Sequence, residues 1–238
     1  MTEKIPLEKV LFLDIETVPE HYKMSEMDEA GLKLFEQKAR FLLNSGKELE
    51  EAYNERAGIY AEFGKIICIS VGFIHETRTG KEIRLKSFYH DDEETLLNQF
   101  VSLLDENKYK FPILCGHNAK EFDFPYICRR LLINGIKLPE VLNIAGKKPW
   151  EIAHIDTMEL WKFGDFKAYT SLALLCHVFK IPTPKDDISG ADVARVYYEE
   201  NDLERIKVYC EKDVLALIQL FLRMKGEPLV EEGDVYFS

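Results

Sequence analysis

Four consecutive apolar residues, Val10, Leu11, Phe12 and Leu13, give way at once to Asp14, Ile15 and Glu16. An unbroken apolar run followed by charge reads as a strand buried on both faces that delivers two carboxylates at its end. Side chains alternate along a strand, so Val10, Phe12, Asp14 and Glu16 share one face, with the acids roughly 7 Å apart at Cα. Two acids on one face can hold a divalent cation. The same residues have a plainer use, in which Asp14 caps the turn after the strand and Glu16 faces solvent. Further acids in equally unusual places would decide between the two.

The rest of the chain alternates strand and helix signals. Residues 22–61 are rich in Glu, Lys, Leu and Ala without Pro, and read as one or two helices lying outside the sheet. Residues 65–73 read as a second buried strand and 82–89 as a third, joined by a turn at 77–80 into an antiparallel hairpin. Leu96, Leu97, Phe100, Val101, Leu103 and Leu104 recur at helical spacing over 91–106, with Asp92 placed to cap. Residues 112–115 read as a short strand, 122–133 as a helix, 152–160 as a strand, 171–179 as a helix and 203–224 as a long final helix. Residues 227–238 are acidic and aperiodic, a tail or a surface strand. This order predicts one α/β domain over residues 1–238, a mixed sheet flanked by helices with a helical insertion after the first strand.

The 238 residues are 46% hydrophobic, enough for a sizeable core. Forty-two acids against 31 bases give a net charge of -11, which argues against the broad basic surface of a nonspecific duplex binder. It does not argue against a nucleic-acid enzyme, because bound divalent ions reverse the charge of an acidic site. The five cysteines, Cys68, Cys115, Cys128, Cys176 and Cys210, are scattered among apolar neighbours, the pattern of buried reduced thiols in a cytoplasmic protein. The first apolar stretch is cut by Asp14 too early for a signal peptide or a membrane span.

Asp213 is the first of the further acids. Helical spacing puts it on one face with Ile206, Tyr209, Cys210, Leu217 and Leu220, the face expected to be buried. A carboxylate on an apolar stripe needs a cation or several donors, although an Asp at the stripe's edge could instead reach solvent or Lys207. Tyr209 lies four residues earlier on the same face, as a core aromatic or as a phenol beside the acid. Asp123 closes the run from Cys115 to Pro125 at a strand-to-helix junction. It is well placed to cap that helix, and equally to join a site at the carboxyl end of the sheet.

Asp14-x-Glu16, Asn118-x-x-x-Phe122-Asp123 and Tyr209-x-x-x-Asp213, in that order, resemble the three motifs of the DEDD-type, DnaQ-like 3′-5′ exonucleases, with Tyr in the last motif as in the DEDDy branch. The chain from residue 8 to about 225 is similar to the stand-alone PolB-like predicted 3′-5′ exonucleases, a group that the insertion and the segment 185–190 also resemble. The resemblance implies an RNase H-like fold and hydrolysis of single-stranded DNA from its 3′ end, releasing nucleoside 5′-monophosphates. It implies two divalent cations, Mg²⁺ or Mn²⁺, held by Asp14, Glu16, Asp123 and Asp213, with Asp14 bridging. An oxygen-only ligand set without His or Cys suits those ions and not zinc. Tyr209 would orient the attacking water. The backbone of Ile15, the Thr17 hydroxyl, Asn118 and Phe122 would meet the terminal nucleotide, although Phe122 serves equally as core.

Lys120, Arg129, Arg130, Lys147 and Lys148 are candidates to steer an incoming strand, or ordinary surface. His117 and His154 read as structural or solvent-facing, and Asp156 as a structural hydrogen-bonding acid. An exoribonuclease, or a non-catalytic nucleic-acid-binding protein of the same fold, is the alternative; no protein partner is indicated.

Overall fold

The computed structural model describes residues 5–165, 169–182 and 187–238. Its strands are β1 (Val10–Pro19), β2 (Gly64–Glu76), β3 (Lys81–Tyr89), β4 (Ile113–Gly116), β5 (Ile155–Asp156) and β6 (Val235–Phe237). The helices are α1 (Glu29–Lys38), α2 (Arg40–Asn44), α3 (Leu49–Arg56), α4 (Glu93–Glu106), α5 (Asp123–Ile133), α6 (Thr157–Lys162), α7 (Leu172–Val178), α8 (Val193–Arg195) and α9 (Leu203–Met224). One six-stranded sheet runs β5-β4-β1-β2-β3-β6. The pairs β1/β2 and β2/β3 are antiparallel, while β1/β4, β4/β5 and β3/β6 are parallel. This is the RNase H-like arrangement, a mixed sheet between helices with a helical insertion after β1.

The apolar run of β1 is buried on both faces, as its composition predicts. Leu11, Leu13 and Ile15 pack with Leu96, Leu97 and Phe100 of α4 and Phe124, Ile127 and Leu131 of α5. Val10 and Phe12 turn the other way, onto Val214, Leu217, Ile218 and Phe221 of α9, with the Phe12 and Phe221 rings edge-on at 5.4 Å. Alternation along β1 therefore aims Asp14 and Glu16 at α9. The final helix is the covering layer of the site as well as of the core.

Several boundaries differ from the sequence reading. β1 does not stop at the acids but continues to Pro19, because β2 pairs with it throughout, with a bulge between Glu16 and Thr17. The insertion forms three helices, broken at Ala39 and at Gly46 (φ 95°), around a small core of Phe35, Ala39, Ala52, Tyr53 and Ala57. The strand expected over 152–160 is only Ile155–Asp156, since Asp156 accepts from the backbone N–H groups of Met158 and Glu159 and so starts α6. The C-terminal residues supply a short edge strand, β6, parallel to β3. Lys185 and Asp186 of the 185–190 segment lie outside the described residues.

The insertion is tied to the sheet by a buried ion pair. Glu93 of α4 takes Arg130 Nε at 2.9 Å and the Ile66 N–H at 2.7 Å, while Arg130 Nη1 donates to the Ala61 carbonyl at 2.9 Å. A buried charge pair of this kind persists because each partner's remaining donors or acceptors are also filled.

Asp202 caps α9 by accepting the Arg205 N–H at 3.0 Å. Asp202→Ala is expected to cost about 1 kcal/mol, as loss of an N-cap acceptor does elsewhere. Urea unfolding checks this, and an unchanged midpoint would show that neighbouring residues hold the helix start.

Candidate active site

The site forms where β1 loses a neighbour. β4 pairs with β1 only from Val10 to Phe12 and ends at Gly116, so the residues of β1 after Leu13 lie beyond its end. The chain leaves β4 through Gly116 and His117 and enters α5 at Asp123, whose carboxyl faces the backbone N–H of Ile15. Asp123 is thus not the N-cap, a position held by Phe122; it is the first helical residue, 4% exposed, and plugs the opened edge of β1. The Ile15 N–H, expected at the substrate, lies beside the Asp123 carboxyl, whose ionised form it favours.

On the α9 side, one donor atom from each of Asp14, Glu16 and Cys210 lies within 4.8 Å of the others. Cys210 Sγ is 3.5 Å from the Asp14 carbonyl oxygen and 3.6 Å from Asp14 Oδ2. Asp123 and Asp213 are not members of that tight group. Both nevertheless stand near enough to act on Asp14. Burial raises the Asp14 carboxyl well above its usual range, and the charges of Asp123 and Asp213 raise it further. Burial, then Asp14 and Asp213, do the same to Glu16. Asp123 is pushed up to about 7 by burial, against the lowering effect of the backbone N–H groups it accepts. Acids from β1, α5 and α9 therefore share one field, although they are far apart in sequence.

Asp213 and Tyr209 are half-buried at the edge of the α9 stripe, not at its centre. The buried line is Ile206, Cys210, Val214, Leu217 and Phe221, offset by one residue from the face that Asp213 and Tyr209 share. The Tyr209 hydroxyl bonds to Asp213, and burial together with Asp213, Glu16 and Asp14 drives its pKa upward. The phenol stays protonated at neutral pH.

Asp156 is the hub of the junction that carries Asn118, Phe122 and Asp123. It is 2% exposed and accepts four backbone N–H groups: Asn118 at 3.0 Å, Lys120 at 3.1 Å, Met158 at 2.9 Å and Glu159 at 3.3 Å. This bonding holds Asn118 in the left-handed conformation (φ 62°), and the Asn118 carbonyl in turn accepts from Glu121 and Phe122 as the chain enters α5. His117 bridges Thr157 Oγ1 at 2.9 Å and the Thr170 carbonyl at 2.8 Å. His154 accepts the Leu114 N–H and meets the Val141 carbonyl at 2.8 Å. Both histidines are built into the scaffold.

Some expected contacts fall elsewhere. Arg130 is 4% exposed and committed to Glu93, so it cannot steer a strand. Lys120 pairs with Glu159 at 2.7 Å. Arg129, Lys147 and Lys148 remain at the surface, with Lys148 Nζ 5.2 Å from the Trp150 ring centre. Phe122 is half-buried, its ring 5.4 Å from that of Tyr126. Cys210 is the site group that the oxygen-only expectation left out. Its place on the Asp213 stripe was the available signal, but proximity to Asp14 comes only from how α9 lies on β1.

The family described as predicted 3′-5′ exonucleases related to the exonuclease domain of PolB matches residues 59–228. The chain belongs to that family. The match contains Asn118, Phe122, Asp123, Tyr209 and Asp213, while β1 with Asp14 and Glu16 precedes it. Membership places the chain among nucleases, which are hydrolases that act on nucleic acid. The fold is also similar to that of the family B DNA polymerase from the hyperthermophilic archaeon Pyrobaculum calidifontis, with a TM-score of 0.56 and 17% identity over 96% of this chain. The chain spans 28% of that polymerase's length, and the likeness is one of fold. Among the described residues no helix is long and apolar enough to cross a membrane.

Proposed function

We propose that this protein is a metal-dependent 3′-5′ exonuclease that removes nucleoside 5′-monophosphates from the 3′ end of single-stranded DNA. The observation that carries the reading is the shared field of Asp14, Glu16, Asp123 and Asp213. Carboxylates from three separate elements, crowded so that each opposes ionisation of the others, fit a cationic ligand. Asp14 and Glu16 would hold one divalent ion with Asp213, and Asp123 would assist a second; their hard oxygens suit Mg²⁺ or Mn²⁺. Such ions supply charge stabilisation to the attacking and leaving oxygens of phosphodiester hydrolysis.

The chain's own groups then have distinct tasks. Tyr209, protonated and bonded to Asp213, can donate or orient but cannot take a proton, so it positions the attacking water rather than deprotonating it. Asp156 sets the backbone that presents Asn118, Phe122 and Asp123 to the strand end. Cys210, a thiol held protonated by burial beside Cys68 and Asp14, donates to Asp14 and steadies it.

The test is digestion of matched 5′-labelled DNA and RNA oligonucleotides with Mg²⁺ or Mn²⁺. A ladder shortening from the 3′ end of DNA is expected, with RNA shortened more slowly. Faster cleavage of RNA would replace the substrate, and intact oligonucleotides of both kinds with folded protein would overturn the activity.

A further inference from the structure

The sheet carries a second concave surface, on the face opposite the one from which Asp14 and Glu16 project. Register lays it out in rows. Phe73 of β2 stands opposite Arg84 of β3, and Arg84 opposite Tyr236 of β6; in the neighbouring row Val71 stands opposite Lys86. Each row is apolar on β2 and turns cationic on β3. At one end of β3, α4 packs Phe100 against Phe88, with ring centres 6.0 Å apart, and further along Arg84 and Lys86 are left exposed.

Between these elements lies a recess of about 680 Å³ floored by Leu11, Val71, Phe73, Leu103 and Phe111. Its volume is that of an ordinary ligand pocket. Arg84 and Lys86 stand on the rim, and Lys110 Nζ hangs over the floor, 4.4 Å from the Phe73 ring centre and 4.8 Å from that of Phe111. Glu82 is also on the rim, but Arg84 Nη2 donates to it at 3.1 Å. The ammonium groups of Lys86 and Lys110 then remain as a local positive field on a chain of net charge -11. Lysines on a sheet often guard its free edge, but here β6 holds that edge, one strand beyond Lys86.

The chemistry of the floor narrows what can fill it. Five hydrocarbon side chains offer no donor or acceptor to the rim of a nucleobase, whose polar groups would be buried unpaired. An aliphatic or aromatic side chain has no such cost. Tyr236, 48% exposed, extends the contact surface past the recess, which suits an extended segment better than a small molecule. We propose that this recess docks an acidic peptide segment of a partner protein, with one apolar side chain on the floor and neighbouring Asp or Glu carboxylates at Lys86 and Lys110. Docking there is independent of the acid site on the other face of the sheet.

The experiment pans a phage-displayed library of random peptides on the full chain and measures the recovered peptides, labelled with fluorescein, by fluorescence anisotropy. Recovered sequences are expected to share an apolar residue flanked by Asp or Glu. Replacing that residue by Ala should weaken binding about thirtyfold, as loss of a buried anchor does, and Leu103→Asp in the protein should act likewise. Lys86→Glu combined with Lys110→Glu, both at exposed positions, should weaken binding about tenfold and flatten its dependence on salt. Unlabelled oligo(dT) should leave the peptide bound. Urea midpoints establish that the variants fold; if Leu103→Asp does not, the lysine pair and the Ala-substituted peptide decide. No recurrent sequence, a recurrent sequence without acids, or binding indifferent to the lysine pair overturns the proposal. Displacement by oligo(dT) overturns it too, and makes the surface a track for nucleic acid.

Discussion

Asp14→Asn is expected to lower the rate of 3′-end cleavage by about a thousandfold in single-turnover assays, with the fold intact. Asp14 is the acid on which the others act: Asp123 from α5 and Asp213 from α9 both raise it, and Cys210 donates to it. Replacing one carboxylate oxygen by an amide removes the charge that would hold a cation against these neighbours. Loss of metal-based charge stabilisation is worth several kcal/mol, and about 1.4 kcal/mol is tenfold in rate. Tyr209→Phe should cost less, about a hundredfold, because the phenol orients the attacking water and does not stabilise charge on the phosphate. Oligonucleotide affinity measured in the same samples separates loss of chemistry from loss of binding. An Asp14→Asn rate within tenfold of wild type would remove Asp14 from the site.

What the sequence made legible follows the range of each interaction. β1 and α9 were readable because their signals are local: an apolar run, and a stripe of Ile206, Cys210, Leu217 and Leu220 over many turns. The acids were readable because a charge beside such a run is conspicuous. The strand expected over 152–160 failed because Asp156 is a cap, and a cap acts through two N–H groups that a hydrophobic pattern does not register. Arg130 looked like a surface base because its partners, Glu93 and the Ala61 carbonyl, lie 37 and 69 residues away. Tyr126, after Pro125 in an apolar helix, reads as core, yet its hydroxyl donates to the Gly58 carbonyl 68 residues away. Nothing local to either residue foretells that contact. The Asp213 stripe was offset by one residue for a related reason. Helical spacing fixes which residues share a face, but the sheet decides which part of that face is buried.

Metal-free wild-type protein is expected to be less stable at pH 8 than its Asp123→Asn variant, and the gap should close on acidification. The Asp123 carboxyl rises from an ordinary 3.8 to about 7 on folding. Between those values the folded state binds more protons than the unfolded state, so stability falls as pH rises through that window. Below about pH 4 both states are protonated and the penalty is absent; above about pH 7 it is complete. At about 1.4 kcal/mol per tenfold, the rise corresponds to about 4 kcal/mol as an upper bound, which the amide avoids by never ionising. Asp14 and Glu16 are raised in the same direction and add to the trend in wild type. Salt-bridged acids such as Glu62 are lowered and contribute the opposite slope, which is why the comparison is with the variant and not with pH alone. Added Mn²⁺ should reverse the order at pH 8, because a cation that binds the ionised folded site stabilises it by mass action, and the variant offers it one charge fewer. Urea unfolding at pH 4, 6 and 8, with and without Mn²⁺, reads all of these differences. If wild type and variant run parallel across that range, Asp123 ionises freely in the folded protein and does not belong to a strained acid cluster.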